Sequence, residues 1–131
     1  MYKKTISYID YDGNKREEDH YFNFTKAELV EMEYSENGGL QKVISNIIAT
    51  QDQPRIISLF KDLILKSYGE KSLDGKRFIK NQELREAFSQ TEAYSELFML
   101  LATDEKEAMA FINGITPPMD NIKPSVIPEN K

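Results

Sequence analysis

Residues 72–83 carry the spacing that comes nearest to a metal site. Counting from the first of them, a serine, Asp74 is third and Glu83 is twelfth, where an EF-hand loop places oxygen ligands. The fifth position is Lys76, however, and the sixth is Arg77, where such a loop requires glycine for its sharp turn. Because two cations replace a ligand and the turning residue, we predict that this segment binds no metal ion.

His20 is the single histidine and the other candidate for chemistry. A general base needs a nucleophile or an orienting partner within hydrogen-bond reach, and the sequence places none beside it. The acidic residues 17–19 are typical of a solvated hairpin surface, and no phosphate-binding, dinucleotide-binding or hydrolase motif occurs. We therefore predict no catalytic residue, no cofactor and no enzymatic activity, with His20 exposed or half-buried on a strand.

The composition excludes further classes of function. The 131 residues are 40% hydrophobic and 30% charged, which is typical of one globular domain. There is no cysteine, so disulfides and zinc–thiolate sites are excluded, and a net charge of −5 argues against binding to nucleic acid. No apolar run is long enough to cross a membrane, and the first residues lack the apolar segment of a signal peptide. These observations favour a cytoplasmic protein.

Two β-rich runs lie within residues 2–24, separated by the turn-forming residues 10–14. This pattern predicts an antiparallel β-hairpin. A helix should follow directly, because Thr25 is a good N-cap residue and Glu28 is spaced to complete a capping box with it.

The same first helix has two more signals at its ends. Phe24 and Leu29 are spaced as a hydrophobic staple, which would join the hairpin to the helix. The sequence Asn-Gly-Gly at 37–39 provides residues that tolerate the left-handed conformation in which helices commonly end. These signals predict a short helix with defined limits.

Helical periodicity then continues to about residue 115. Apolar residues spaced three and four apart predict one helix over 40–48 and another that begins near Pro54 and ends near Gly69. Residues 71–80 should form a loop with a short extended piece at Phe78 and Ile79. Later helices are predicted from the capping residues Asn81, Ser89 with Glu92, and Asp104 with Glu107, the last helix stopping at Gly114.

Together these patterns predict an α+β fold, with an N-terminal β-hairpin followed by about six short helices. We assign residues 1–115 to one domain. Residues 116–131 hold four of the five prolines and little apolar content, which predicts a flexible C-terminal tail.

Two apolar residues fall outside the main stripes of the later helices. Leu65 points nearly opposite the stripe of the helix that begins near Pro54, and Met99 points away from the stripe of the helix over 91–102. Both are candidates for binding a partner, since methionine adapts well to varied contacts. The alternative is that both helices are buried on all sides, in which case these residues belong to the core.

Three stretches, residues 21–33, 59–104 and 110–115, resemble the tail assembly chaperones of long-tailed, siphovirus-type phages and prophages of Gram-positive bacteria. They read YFNFTKAELVEME, LFKDLILKSYGEKSLDGKRFIKNQELREAFSQTEAYSELFMLLATD and AFINGI. The similarity extends over about residues 1–115. It rests on sequence similarity over long stretches, because no catalytic motif accompanies it.

The resemblance implies a non-enzymatic protein of the host cytoplasm that binds the tape measure protein while the tail tube assembles. It further implies contact with the major tail protein, and it leaves open a homo-oligomer and a longer, frameshifted form of the same chain. Two other functions remain open on the sequence alone. One is a structural tail or connector protein retained in the virion, and the other is a small DNA-binding regulator, which the acidic balance disfavours.

Overall fold

The computed structural model describes residues 1–35, 45, 49 and 53–117, which form a four-stranded sheet with helices packed on one side. We number the elements in chain order. They are β1 (Tyr2–Ile9), β2 (Lys15–Phe22), α1 (Lys26–Ser35), α2 (Gln53–Ser67), β3 (Tyr68–Lys71), β4 (Phe78–Ile79), α3 (Gln82–Ser89), α4 (Glu92–Thr103) and α5 (Glu105–Ile115).

The sheet is an antiparallel meander in the order β1-β2-β3-β4. The predicted hairpin is confirmed, with Tyr2 opposite Phe22 and Ile9 opposite Lys15, but it is only half of the sheet. Strand β3 was not predicted, because four residues that directly follow a helix show no apolar alternation. Its Gly69 is a strand residue rather than only the end of a helix, and a Cβ there would lie 2.7 Å from the carbonyl oxygen of Ile79.

One face of the sheet is buried against the helices. In β1 the inward positions are the even-numbered ones, including Ile6, which is buried, whereas Lys3, Thr5 and Ser7 are exposed on the outer face. Phe22 at the end of β2 is fully buried, and its ring contacts those of Tyr2, Tyr68, Phe88 and Phe111. The sheet and the helices therefore share one core, joined by aromatic contacts.

The helix stripes fill the rest of that core. The predicted face of α2 is confirmed, since Phe60, Leu63 and Ile64 are buried there. The remaining buried apolar side chains lie mainly on the last three helices and comprise Phe24, Leu29, Phe88, Ala93, Leu97, Leu101, Ala108, Phe111, Ile112 and Ile115.

Two predicted N-caps are confirmed by their hydrogen bonds. At α1, the backbone N–H of Glu28 donates to the Thr25 hydroxyl at 3.1 Å, and the N–H of Thr25 donates to the Glu28 carboxylate at 2.8 Å, which completes the capping box. At α3, the side chain of Asn81 accepts from the N–H of Leu84 at 2.8 Å.

The cap predicted at Ser89 is wrong. Ser89 is the last residue of α3 and its hydroxyl donates to the carbonyl of Glu86, while Thr91 caps α4 by accepting from the N–H of Tyr94. Thr91 directly precedes Glu92, so two hydroxyl residues, Ser89 and Thr91, are both close enough to cap α4. The extended backbone at Thr91 decides between them, because an N-cap residue must stand outside helical geometry.

At the last helix one prediction is confirmed and one is wrong. Asp104 caps α5 by accepting from the N–H groups of Lys106 and Glu107. Gly114 does not stop this helix, which ends at Ile115 with Thr116 as its C-cap. Gly114 instead serves packing, since a Cβ at this position would lie 2.8 Å from the ring of Tyr2.

Five helices lie in the part of the chain that the structure describes, against about six predicted. The predicted stop at 37–39 and most of the predicted helix over 40–48 fall outside the described residues, as do residues 118–131 of the predicted tail. Among the described helices, none is long and apolar enough to cross a membrane.

Candidate partner-binding surface

The last three helices carry an excess of acidic side chains. Between Gln82 and Ile115 the basic residues are Arg85 and Lys106, whereas the acidic residues are Glu83, Glu86, Glu92, Glu96, Asp104, Glu105 and Glu107. That excess equals the net charge of the whole chain, −5. Helices α3, α4 and α5 therefore carry more acidic than basic side chains, although Glu107 is paired with Lys4 of β1 at 2.8 Å.

Met99 lies within this acidic region with its side chain 54% exposed. It stands on the face of α4 opposite Ala93, Leu97 and Leu101, which are buried. The backbone carbonyl of Met99 accepts a hydrogen bond from the Thr103 hydroxyl, and the residue is exposed. This arrangement agrees with the prediction that Met99 is surplus to the core.

Leu65 agrees with the alternative in which it belongs to the core. Its side chain is half-buried and packs against the core, although its position on α2 is nearly opposite to Phe60 and Leu63. Helix α3 explains this burial, because it packs against α2, and the Arg85 guanidinium donates to the carbonyl of Leu65 at 3.2 Å. The apolar stripe of α2 does not predict this second contact, because the contact depends on α3, which packs on the other side of α2. The structure does not bring Leu65 and Met99 onto one exposed surface.

His20 lies on the inner face of the sheet, among aromatic rings. Its ring centroid is 5.2 Å from that of Phe88 and 6.3 Å from that of Tyr68, and its Nδ1 is buried without a hydrogen-bond partner among the described residues. Burial lowers the pKa of His20 below its ordinary value of 6.5, while the charge of Glu18 opposes the shift. The imidazole of His20 packs on aromatic rings, and the residue is half-buried on strand β2, as predicted.

The segment 72–83 is organised by its own hydrogen bonds. The Asp74 carboxylate accepts from the Ser72 hydroxyl at 2.7 Å and from the backbone N–H of Lys76 at 3.0 Å, and these bonds lower the pKa of Asp74. The first six residues form the turn between β3 and β4, where Gly75 adopts a positive φ of 74°. Within the described ranges, no group of three or more His, Cys, Asp or Glu side chains is placed to hold a metal ion.

Two grooves lie beside strand β1, and sequence reasoning missed both. The larger has a volume of about 600 Å³ and lies at the end of β1 near Ile9, where Glu17, Glu92 and Glu96 are among its lining residues. The smaller, about 160 Å³, follows the middle of the strand and is lined on its far side by Leu97 and Leu100 of α4. No motif signals such grooves, because they depend on where α4 lies relative to the sheet edge.

The hairpin turn closes one end of the larger groove. Tyr11, which is 76% exposed, donates a hydrogen bond from its hydroxyl to the Glu92 carboxylate, and this bond raises the pKa of Tyr11. Arg16, which also lines this groove, is bonded to Asp10 at 2.6 Å. The tip of the hairpin is therefore tied to the first turn of α4.

Comparison with known proteins gives one match. The sequence model of a protein family described as phage tail assembly chaperone matches residues 1–123, which include every described element of the fold. No curated protein matches the chain. No solved structure matches it either.

Proposed function

The chain belongs to the phage tail assembly chaperones, and from that premise we propose that it binds the tape measure protein and assists assembly of the tail tube. The role requires no catalysis, and the proposed place of action is the host cytoplasm, where tails assemble. The major tail protein is the second proposed partner, because the tube forms from it around the tape measure protein. A longer, frameshifted form of this chain would share the surface around Met99.

One observation carries the proposal, namely the exposure of Met99 on a helix rich in acidic residues. A chaperone must cover apolar segments of its client while the client is unassembled, and it needs adaptable apolar side chains for this purpose. Met99 supplies such a side chain, and Glu96 one turn before it supplies charge.

The surface also specifies the chemistry of the client segment. Apolar side chains are needed to contact Met99, and lysine or arginine residues near them would be attracted by the acidic helices α3, α4 and α5. We therefore propose that the bound part of the tape measure protein is an apolar stretch flanked by basic residues. Since exposed charges are screened by salt, the complex should weaken as ionic strength rises.

Co-expression of the chain with its phage's tape measure protein, followed by purification through a tag on the chaperone, tests the proposal. We expect the tape measure protein to remain soluble and to co-purify at low salt. The matched variants are Met99→Gln, which removes the central apolar contact, and Leu73→Gln, which alters a fully exposed leucine in the β3–β4 turn. Recovery should fall with the first variant only. Recovery that is equal for both variants, or no recovery with the unmodified chain, would contradict the proposal.

A further inference from the structure

Lys80 directly follows β4, and its side chain is only 10% exposed. Lysine is seldom buried to this extent unless its charge is paired. Its ammonium group donates to the carbonyl oxygen of Asn23 at 3.0 Å and is paired with Oε2 of Glu28 at 2.6 Å. It also lies over the ring of Phe24, 4.8 Å from the centroid. These partners belong to the end of the hairpin and the first turn of α1, so Lys80 ties β4 to the start of that helix.

The Glu28 carboxylate makes two contacts at once. Its Oε1 accepts from the backbone N–H of Thr25 in the capping box, while its Oε2 is paired with Lys80. The Glu28 side chain is 33% exposed, so water reaches the ion pair from the side of the glutamate. If the pair opens, Glu28 is hydrated, and Lys80 keeps the carbonyl of Asn23 and the ring of Phe24. Opening therefore leaves neither charge without a partner.

The chain just before α1 is held by other hydrogen bonds. The Asn23 N–H donates to the carbonyl of Ser67 at 2.8 Å, and the Phe24 N–H donates to the carbonyl of Ile115 at 2.9 Å. These carbonyls end α2 and α5, and neither bond involves α1. The side chain of Phe24 is buried as well. The fixed part of the chain therefore extends to Phe24, and a movement of α1 would begin at Thr25.

Helix α1 itself is attached to the domain more loosely. Among residues 26–32, Leu29 is the one buried side chain. The backbone of α1 does not run closely alongside any other described helix or strand. An open groove of about 320 Å³ is lined by Met32 of α1, Lys66 of α2 and Arg85 of α3, so α1 is not closely packed on these two helices there.

We propose that α1 is a releasable arm and that the ion pair between Lys80 and Glu28 is its latch. When the pair opens, α1 turns away about Thr25 while the sheet and helices α2 to α5 stay folded. Segments with few buried contacts open at a lower free energy than the whole domain. Within the described ranges, one buried side chain and one ion pair hold α1 in place.

Release of α1 exposes apolar surface that is otherwise covered. Leu29 is only 4% exposed in the closed form, and Met32 packs against the core. Both side chains, together with the core side chains that they cover, become accessible when α1 moves away. A contiguous apolar surface of this kind is what a chaperone offers to an unassembled client. In this last step the inference rests on the proposed function, whereas the movement of α1 does not.

Two latch variants and two matched controls test the movement. Lys80→Met removes the cation and keeps a long side chain. Glu28→Gln removes the anion but keeps an oxygen for the capping box, and it leaves Lys80 bonded to Asn23. The controls are Lys76→Met, in the β3–β4 turn, and Glu31→Gln, on α1 itself, and both of these residues are exposed.

Hydrogen exchange, followed by mass spectrometry on the chain alone, measures the opening of each element. We expect the amides of α1 to exchange about tenfold faster or more in both latch variants and at the unmodified rate in both controls, because only the latch variants lose a hydrogen bond between charged groups. Exchange in α5 should be unchanged in all four variants. Fluorescence of ANS, a dye that binds exposed apolar surface, should rise in the latch variants only.

These measurements need no client, so their outcome does not depend on whether the chain binds the tape measure protein. If Lys80→Met does not fold, Glu28→Gln against Glu31→Gln decides the matter. Equal exchange of α1 in latch variants and controls would overturn the proposal. So would faster exchange of α1 and α5 together, which would mean that the whole domain is weakened, or faster exchange of α1 without any increase in ANS fluorescence.

Discussion

The Cα of Gly114 in α5 lies directly against the side chain of Tyr2 in β1, so closely that a Cβ on Gly114 would stand 2.8 Å from Cδ1 and 2.9 Å from Cβ of that tyrosine. Tyr2 has little freedom to move away, because its ring also meets Phe111 edge-on at 5.2 Å. This contact joins the last described helix to the first strand, and thus connects parts of the described chain that are far apart in sequence.

Gly114→Ala should therefore destabilise the protein. Alanine is the better helix former by about 1 kcal/mol, but overpacking at a tight contact costs about 1–3 kcal/mol, so the overlap should prevail. Chemical denaturation with circular dichroism measures the difference. Asn113→Ala is the control, since Asn113 is exposed on the same helix, and it should leave stability unchanged or slightly higher. Equal stability of the two variants would contradict the packing role of Gly114.

The capping box of α1 gives a second prediction. Thr25→Ala removes the hydroxyl that accepts from the Glu28 N–H, and loss of an N-cap typically costs about 1 kcal/mol. Thr25→Ser keeps the hydroxyl and should retain most of the stability. The free energies of unfolding of both variants, compared with that of the unmodified chain, decide the matter. A Thr25→Ala chain as stable as Thr25→Ser would show that this cap contributes nothing.

His20 should make stability depend on pH below neutrality. Its pKa in the folded protein is lowered by burial, so the unfolded chain binds the proton more readily. The contribution is present in full above about pH 6.5, the unfolded pKa, and is lost as the pH falls from there through the folded pKa. The paired carboxylates Asp10, Asp19 and Asp74, whose pKa values are also lowered, act at more acidic pH.

Unfolding midpoints measured from about pH 7.5 to about pH 5 should fall, and His20→Phe should flatten this part of the profile. Phenylalanine suits the site because Phe88 and Tyr68 already surround the ring. A slope that persists in His20→Phe would assign the effect to other groups.

Leu65→Gln should unfold more easily than Met99→Gln. Leu65 packs against the core, so glutamine at this position loses apolar burial and leaves its amide without a hydrogen bond. The cost should be about 1–3 kcal/mol. Met99 is exposed, and changes at exposed positions usually shift stability by about 0.5 kcal/mol or less. Thermal unfolding of the two variants tests this ordering, and the reverse ordering would contradict the burial that separates them.

The sequence predicted those features that depend on residues within a single segment. The capping box at Thr25 and the cap at Asn81 depend on residues three apart, and the stripe of α2 depends on one helix. Contacts between elements were not predictable in this way. The strand at Gly69 exists because β2 and β4 lie on either side of it, and the burial of Leu65 arises because α3 packs against α2.

The same distinction between local signals and contacts between elements applies to the candidate surface. The exposure of Met99 agrees with its position opposite the stripe of α4, but the sequence left open whether that face is exposed or buried. The position of β1 at one end of the described sheet does not appear in any pattern, because it depends on the order of all four strands. Gly114 shows the same limitation, since a glycine near a helix end has the same local signal whether it terminates the helix or contacts a tyrosine.

The affinity of the purified chain for its tape measure protein, measured for the unmodified form, Met99→Gln and Leu73→Gln, shows whether Met99 binds this partner. We expect binding that weakens with salt and an apolar contact at Met99 that contributes about 1–2 kcal/mol, so that Met99→Gln lowers the affinity by about five- to thirtyfold with unfolding unchanged. Leu73→Gln should bind as the unmodified chain does. Identical affinities for all three forms, or no binding by a folded, unmodified chain, would contradict this expectation.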